Sequence, residues 1–246
     1  MQRVFSGLAL IFGVWAAAHY SGIANPQILP SPAESVRRLG QLLASGGLNS
    51  DLVASGWRWL CGFGLGVMLG APFGLAMGYS RWAGLLLDFP VDFFRSLPVS
   101  SLFPVFLLIF GIQDASKVAM IATAVGFTMV VTAHYGVRHA PRTRQAMAQV
   151  FGASTAQRLR DVILPEALGQ IVAGMRVSLG TSLVVLVLAE MLIGSRHGIG
   201  QRLFDSYSVN AATDMFALIL LTGSIGYLLN VAFQAVERRF VFWVGK

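Results

Sequence analysis

Hydrophobic residues occur along the chain in long blocks, and short polar segments separate one block from the next. Six blocks reach or approach the length of about 20 apolar residues that a membrane-spanning helix needs. They cover approximately residues 4–20, 52–79, 99–112, 118–135, 167–192 and 215–236. The pattern therefore predicts an all-α, polytopic membrane protein with six transmembrane helices.

The polar segments divide the chain into three parts, residues 1–28, 29–51 and 52–246. We expect the first part to be an N-terminal transmembrane helix and the third to be a five-helix core with a cytoplasmic loop at about 137–166. The run Ala16-Ala17-Ala18 resembles a signal-peptidase site, so cleavage after the first block is an alternative. We expect the helix to be retained, because six spans give the consistent topology described below.

The middle part, 29–51, is expected to be an extracytoplasmic amphipathic segment. Prolines break the chain at its start, and helical spacing follows from about residue 33 to residue 45. The pattern predicts a short helix at the membrane interface. Its apolar side comprises Val36, Leu39, Leu42 and Leu43.

The second block carries small residues four positions apart, at Gly62, Gly66, Gly70, Gly74 and Gly78. Such a row lets a neighbouring helix approach backbone to backbone. Each glycine of the row is rotated by about 40° from the one before it, because a helix has 3.6 residues per turn. The row can therefore contact several neighbouring helices, or one helix that crosses at an angle. Arg58 lies in the same block. Because an isolated charge in lipid is costly, its side chain must either extend to the membrane interface or pair with an acidic group.

Proline interrupts the short third block at Pro104. Broken segments of this kind are typical of transport pathways, because unwound backbone there lines a cavity. Ser100 and Ser101 are therefore candidate pathway residues, and an ordinary kinked helix is the alternative. In the fifth block, Arg176 and Glu190 are further candidates. Glu190 is either a gate residue or a satisfied polar contact between helices.

The composition excludes a soluble domain, because 55% of residues are hydrophobic, 12% are charged and the mean hydropathy is +0.68. The single Cys61 excludes an intrachain disulfide and a cysteine-rich metal site, and no metal site is predicted. Only two lysines are present, Lys117 and Lys246, so the chain lacks a phosphate-binding loop of the Gly-x-x-x-x-Gly-Lys type. We expect no catalytic residue and no cofactor bound by this chain.

The net charge of +7 is explained by loop arginines that fix membrane topology, rather than by nucleic-acid binding. With the N-terminus inside and six spans, 11 basic residues lie inside and 5 outside, which places both termini in the cytoplasm. The inside group is Arg3, Arg81, Arg95, Arg138, Arg142, Arg144, Arg158, Arg160, Arg238, Arg239 and Lys246. The outside group is Arg37, Arg38, Lys117, Arg196 and Arg202. Glycines at 194, 198 and 200 predict a flexible outer loop, and Phe240, Phe242 and Trp243 predict an interfacial anchor.

A polar segment between the fourth and fifth blocks predicts a short water-facing helix. Gly152 breaks the preceding turn, and Ser154 with Gln157 fits a capping box. Leu159 begins the apolar face of the helix. Pro165 is expected to end it and to start the next helix. The alternative is a solvated connecting loop.

Ala148, Gly152, Leu164 and Pro165 have the spacing of the signature loop of bacterial ABC-importer permeases, which this segment resembles. Ala146 stands where that family usually has Glu. Three further segments resemble the nitrate/sulfonate/taurine branch of these permeases: Leu29-Pro30-Ser31-Pro32, Ala189-Glu190-Met191 and Gly198-Ile199-Gly200.

The resemblance implies a type I ABC-importer permease fold in a bacterial inner membrane, working as a homodimeric or heterodimeric pore. It implies two cytoplasmic ATPase subunits that carry ATP and Mg, and an extracytoplasmic solute-binding protein. A small anion such as nitrate, sulfonate or taurine is the expected solute. An ATP-independent secondary transporter or channel, or a scaffold subunit without transport, is the alternative. The residues implied in coupling are Ala148, Val150, Phe151, Gly152, Ala153, Ser154, Leu159, Leu164 and Pro165.

Overall fold

The computed structural model describes residues 2–22, 25 and 27–240, and the chain is helical through most of this part. This confirms the all-α prediction. Phe242 and Trp243 of the predicted anchor lie outside the described residues. The helices are α1 (Gln2–Tyr20), α2 (Pro32–Ala44), α3 (Asn49–Tyr79), α4 (Arg81–Ser96), α5 (Phe103–Phe110), α6 (Asp114–Arg138), α7 (Arg142–Val150), α8 (Thr155–Arg158), α9 (Leu164–Ile193), α10 (Ile199–Ser208) and α11 (Ala212–Phe240).

Four helical segments are long and apolar enough to cross a membrane, namely α3, α6, α11 and the continuous stretch Thr155–Ile193. A fifth candidate is broken: α4 and the segment Val99–Phe110 meet at an angle of 88°. The apolar part of α1, Ala9–Tyr20, is shorter than a span needs. The described residues therefore confirm a polytopic helical protein, but they do not confirm the count of six.

The glycine row of α3 faces a single partner, α6, which runs parallel to it. A Cβ atom built on Gly62 would lie 2.6 Å from Cβ of Ile121, and one built on Gly78 would lie 2.7 Å from Cβ of Val137. Each later glycine of α3 contacts a later residue of α6, so the two helices are parallel and in close contact from Gly62 to Gly78. The glycines between these two make the same kind of contact with α6: Gly66, Gly70 and Gly74.

The central helix α6 also packs against α9, which runs antiparallel to it. Gly136 near the end of α6 faces Ala167 near the start of α9, and Met120 packs with Ala189 and Ile193 at the other end. Helices α3, α6 and α9 therefore form the core. A single buried cluster that includes Phe63 joins them.

The bundle has two ends, which we call the loop end and the far end. The loop end contains the end of α3, the start of α4, the end of α6 and the segment 139–166. The far end contains α10 and the first turns of α3, α6 and α11. The later turns of α1 also lie there, because Trp15 Nε1 donates a hydrogen bond to the Pro30 carbonyl oxygen at 3.0 Å.

Helix α2 covers the start of α11 at the far end. Leu42 packs with Ala217 and Leu218, and the side chains of Arg38 and Asp214 form an ion pair. A capping box starts the helix, because Ser31 Oγ accepts a hydrogen bond from the Glu34 N–H and the Ser31 N–H donates to the Glu34 carboxylate. These hydrogen bonds from Ser31 lower the pKa of Glu34.

Pro165 lies in the first turn of α9, as predicted, but the helical stretch does not end before it, contrary to the prediction. The chain is helical from Thr155 to Ile193, and a wide π-helical turn at Leu159–Ile163 precedes the proline. The Leu164 N–H donates to the Leu159 carbonyl oxygen, five residues earlier. The wide turn accommodates the proline, which has no N–H to continue the regular hydrogen-bond ladder.

Candidate functional site

A polar hairpin, residues 142–163, projects at the loop end. α7 ends at Val150, and the turn that follows contains Gly152, whose φ of +78° is a left-handed conformation that favours glycine. The predicted capping box is confirmed: the Gln157 N–H donates to Ser154 Oγ at 3.3 Å, and the Ser154 N–H donates to Gln157 Oε1 at 2.8 Å. The turn and the start of α8 are therefore fixed by local hydrogen bonds.

The base of the polar hairpin is attached to the bundle. Leu159 packs against a buried cluster that includes Val137, Ile163 and Ala167. An ion pair between Arg144 and Glu166 ties α7 to the start of α9. The helical stretch Thr155–Ile193 is continuous, so the polar hairpin is joined to the core helix α9 without a flexible linker.

Two large apolar side chains at the tip of the polar hairpin are almost fully exposed, and Met147 in α7 is 58% exposed. Val150 is 85% exposed and Phe151 is 87% exposed. The neighbouring Gly152 and Ser154 are also exposed, whereas Ala148, Ala153, Leu159, Leu164 and Pro165 are half-buried. The predicted coupling residues therefore include an exposed group at the tip of the hairpin and a half-buried group.

A buried charged cluster lies at the far end and includes Glu190. Its carboxylate is fully buried, and it accepts hydrogen bonds from Arg58 NH1 at 2.6 Å, from Ser55 Oγ at 2.8 Å and from the Gly200 N–H at 2.8 Å. Arg58 Nε donates to the Asp114 carboxylate at 2.8 Å. Glu190 is therefore engaged in a contact that joins α3, α9 and α10.

The segment around Gly198 is not the flexible loop that the sequence predicted. The Gly198 N–H donates to Asp51 at 2.9 Å, and the Ile199 N–H donates to Ser55 Oγ at 2.8 Å. These two acceptors and Arg58 lie on one face of α3, at helical spacing. This cluster was not predicted from the sequence. Its signal is the spacing of Asp51, Ser55 and Arg58, which places three polar residues on one face at the start of an apolar helix.

A groove of about 410 Å³ lies between the broken span and the two core helices α6 and α9. We call it the midplane groove, because its α6 residues, 124–132, lie in the middle of that helix. Its polar lining residues are Arg95, Ser100, Thr128, Thr132 and Thr181. Ser100 is the one predicted pathway residue in this lining.

The other predicted pathway residues lie elsewhere. Ser101 is exposed, and its Oγ donates to the Pro98 carbonyl oxygen at 2.7 Å. Arg176 pairs with Glu237 of α11 at 3.8 Å. Glu190 belongs to the far-end cluster. The sequence therefore found one of the five polar groove residues, because the others come from three separate helices.

A smaller polar cavity of about 230 Å³ continues from the midplane groove toward the loop end, and Val131 lines both. Asp88, Asp92 and His134 line it. His134 Nε2 lies 3.5 Å from the Asp88 carboxylate, and Arg138 lies 3.7 Å from the same group. In the part of the chain that the structure describes, no group of three metal-ligating side chains is present.

Comparison with known proteins decides the family. The sequence pattern of the family described as "Binding-protein-dependent transport system inner membrane component" matches residues 62–242, about three quarters of the chain. This chain belongs to that family. The match includes the glycine row, the midplane groove and the polar hairpin. The protein is therefore the permease subunit of an ABC importer and a multi-pass membrane protein, as predicted.

Similar permeases have been named in several organisms. The putative aliphatic sulfonates transport permease protein SsuC of Bacillus subtilis is 32% identical over 96% of this chain and 85% of its own length. The protein of the same name in Escherichia coli is 34% identical over 95% and 88%. The taurine transport system permease protein TauC of Escherichia coli is 31% identical over 97% and 88%.

A similar fold occurs in the MetNI methionine ABC transporter, in an inward-facing conformation. The TM-score is 0.65 over 77% of this permease and 94% of that chain, and the identity is 18%. This likeness concerns the fold alone. Membership of the family implies an ATPase partner that supplies the energy and a binding protein that supplies the solute.

Proposed function

We propose that this permease carries a small anion across a bacterial inner membrane as a homodimer with two cytoplasmic ATPase subunits. The relatives are named for aliphatic sulfonates and taurine, and a bicarbonate transport permease of Synechococcus elongatus is 28% identical. The solutes in these names carry an oxygen-rich acidic group. An extracytoplasmic binding protein would deliver such a solute at the far end.

The exposure of Val150 and Phe151 is the main support for a contact between this permease and an ATPase subunit. Apolar side chains of this size gain about 1.5–3 kcal/mol each when they are fully buried. Their position at the tip of a rigid polar hairpin fits insertion into a cleft of a partner subunit. We assign the contact to the ATPase, with Ala148, Gly152, Ala153 and Ser154 shaping the tip, and with Leu159, Leu164 and Pro165 connecting it to α9.

The arrangement suits a two-state pore. Closure of the ATPase dimer would move the two hairpins, and each hairpin would move its α9 because no flexible linker intervenes. The packed contact between α3 and α6 would let this core move as one body. ATP binding would then bias the pore between inward-open and outward-open arrangements.

The proposed orientation places the loop end in the cytoplasm. The polar hairpin there contains Arg142, Arg144, Arg158 and Arg160, and cytoplasmic loops carry an excess of such residues. α1 runs toward the far end and α11 runs from it toward the loop end, so both chain termini would also be cytoplasmic. Helix α2 and α10 would face the binding protein.

Charge placed at the hairpin tip tests the proposal. We expect Val150→Asp to lower the amount of ATPase subunit that co-purifies with the permease by about tenfold or more, because it replaces a buried apolar contact with a charge. Val209→Asp is the matched control, since Val209 is 74% exposed at the far end. It should leave ATPase association unchanged. Equal association in both variants would overturn the coupling assignment.

A further inference from the structure

The midplane groove lies where the fourth helix stops and the chain turns by 88°. The ring of Phe94, in the last turn of α4, stacks on Phe127 at a centroid distance of 6.3 Å. Phe127 is the fourteenth residue of the 25-residue helix α6, so the turn lies beside the middle of that span. Secondary transporters build their solute sites at broken helices near the middle of their spans.

Arg95 is the one charged residue in the lining of this groove, beside the middle of α6 and not in a cytoplasmic loop as the count of inside arginines had placed it. Its side chain is about half exposed, and its Nε donates to the Asp92 carboxylate at 2.8 Å. A charge at the bilayer centre is too costly to face lipid, so this side of α4 must face water or protein. A guanidinium group has five N–H donors, of which the bond to Asp92 engages one.

The rest of the lining is mixed but mainly apolar. Eight of the 13 lining residues are hydrophobic, including Phe94 and Phe127. The hydroxyls of Thr128, Thr132 and Thr181 already donate to backbone carbonyls of their own helices. Arg95 is therefore the strongest hydrogen-bond donor available to a solute, and an apolar wall stands beside it.

We infer that the midplane groove binds a small organic oxyanion, a sulfonate or carboxylate on a short carbon chain. The acidic group bonds to Arg95 and Ser100, and the carbon chain lies against Phe94 and Phe127. This assignment rests on the proposed anion transport and narrows it. A hydrated inorganic anion such as nitrate would lose water at the apolar wall and gain no compensating contact there.

The charge on Arg95 is tested first, in proteoliposomes that hold the permease, its ATPase and its binding protein. Butanesulfonate serves as the labelled solute. We expect Arg95→Gln to lower ATP-driven uptake by about tenfold or more, and Arg95→Lys to retain several times the uptake of Arg95→Gln, because it keeps the charge. Arg81→Gln, an exposed arginine on the same helix outside the groove, should stay within about twofold of the wild type.

The apolar wall is tested in the same assay by narrowing the groove. Ala124 lines it on α6. We expect Ala124→Leu to lower uptake of the longest alkanesulfonate that the binding protein accepts more than uptake of the shortest one. The shorter solute serves as the internal control for folding and assembly.

The outcomes separate the two proposals. Absence of ATP-driven uptake of any anion by the wild-type complex would contradict the proposed function itself. If the wild type takes up butanesulfonate but Arg95→Gln is equally active, the groove assignment is wrong and anion transport stands. If the complex takes up only nitrate or bicarbonate, the assignment of the groove to organic sulfonates or carboxylates is wrong.

Discussion

Arg58 of α3 donates a hydrogen bond to the Glu190 carboxylate of α9 at 2.6 Å, and both side chains are buried. The pair joins two core helices at the far end, and Gly200 connects α10 to the same carboxylate. Each side chain makes several hydrogen bonds, which offset the cost of burying a polar group. The contact therefore holds the start of α10 against α3 and α9.

Removing the carboxylate charge should destabilise the permease. Glu190→Gln leaves Arg58 with one carboxylate partner, Asp114, and we expect a loss of about 3 kcal/mol, the lower end for a broken buried pair. The thermal midpoint of the detergent-purified protein measures it. Asp214→Asn is the control, because its pair with Arg38 is partly exposed and should contribute less than about 1 kcal/mol. Equal shifts in the two variants would contradict the account.

The close approach of α3 and α6 leaves no room for a larger side chain at Gly66. A Cβ atom at Gly66 would lie 2.6 Å from Cβ of Val125 and 2.8 Å from the Ala122 carbonyl oxygen. Gly66→Ala should therefore force the helices apart and cost about 1–3 kcal/mol. At Gly64, on the same helix, an added Cβ meets nothing within 4 Å.

Gly64→Ala is thus the matched control, and it should be neutral or stabilise the helix by up to about 1 kcal/mol. Thermal unfolding of both variants in one detergent compares them. A Gly66→Ala protein as stable as Gly64→Ala would show that the helices do not touch along the glycine row.

The conformation of Gly152 makes a third prediction, independent of any partner. Space around it is open, so a substitution there meets only the cost of the left-handed backbone. Gly152→Val should cost about 1–2 kcal/mol locally, whereas Gly152→Asn should cost less, because Asn tolerates this conformation. Hydrogen exchange of amides 149–157 should be faster in the Val variant. Identical exchange in both variants would contradict the observed turn.

Several features were predictable because their causes are local. Lipid requires long apolar blocks, so four spans could be predicted from hydropathy. The first block is too short for a span in the described residues, and the third block is only half of the broken span. The close approach along α3 followed from glycines four apart. Ser154 and Gln157 sit three residues apart, and a capping box needs no information beyond that spacing.

The far-end cluster and the groove were not predictable, since their members meet only in the folded chain. Arg58 and Glu190 are 132 positions apart, and nothing near either residue identifies the other. The polar groove residues come from α4, the turn after it, α6 and α9. Pro165 misled because a proline usually ends a helix, and the π-helical turn that accommodates it has no clear sequence signal.

A cytoplasmic ATPase can contact the polar hairpin only if the hairpin lies on the cytoplasmic side of the membrane. Cysteines at Ser154 and Val209, introduced singly after Cys61→Ala, are labelled with a membrane-impermeant maleimide in inverted and right-side-out vesicles. We expect Ser154→Cys to react in inverted vesicles and Val209→Cys to react in right-side-out vesicles. Reaction of Ser154→Cys from the outside only would contradict the coupling assignment, because no cytoplasmic ATPase could then reach the hairpin.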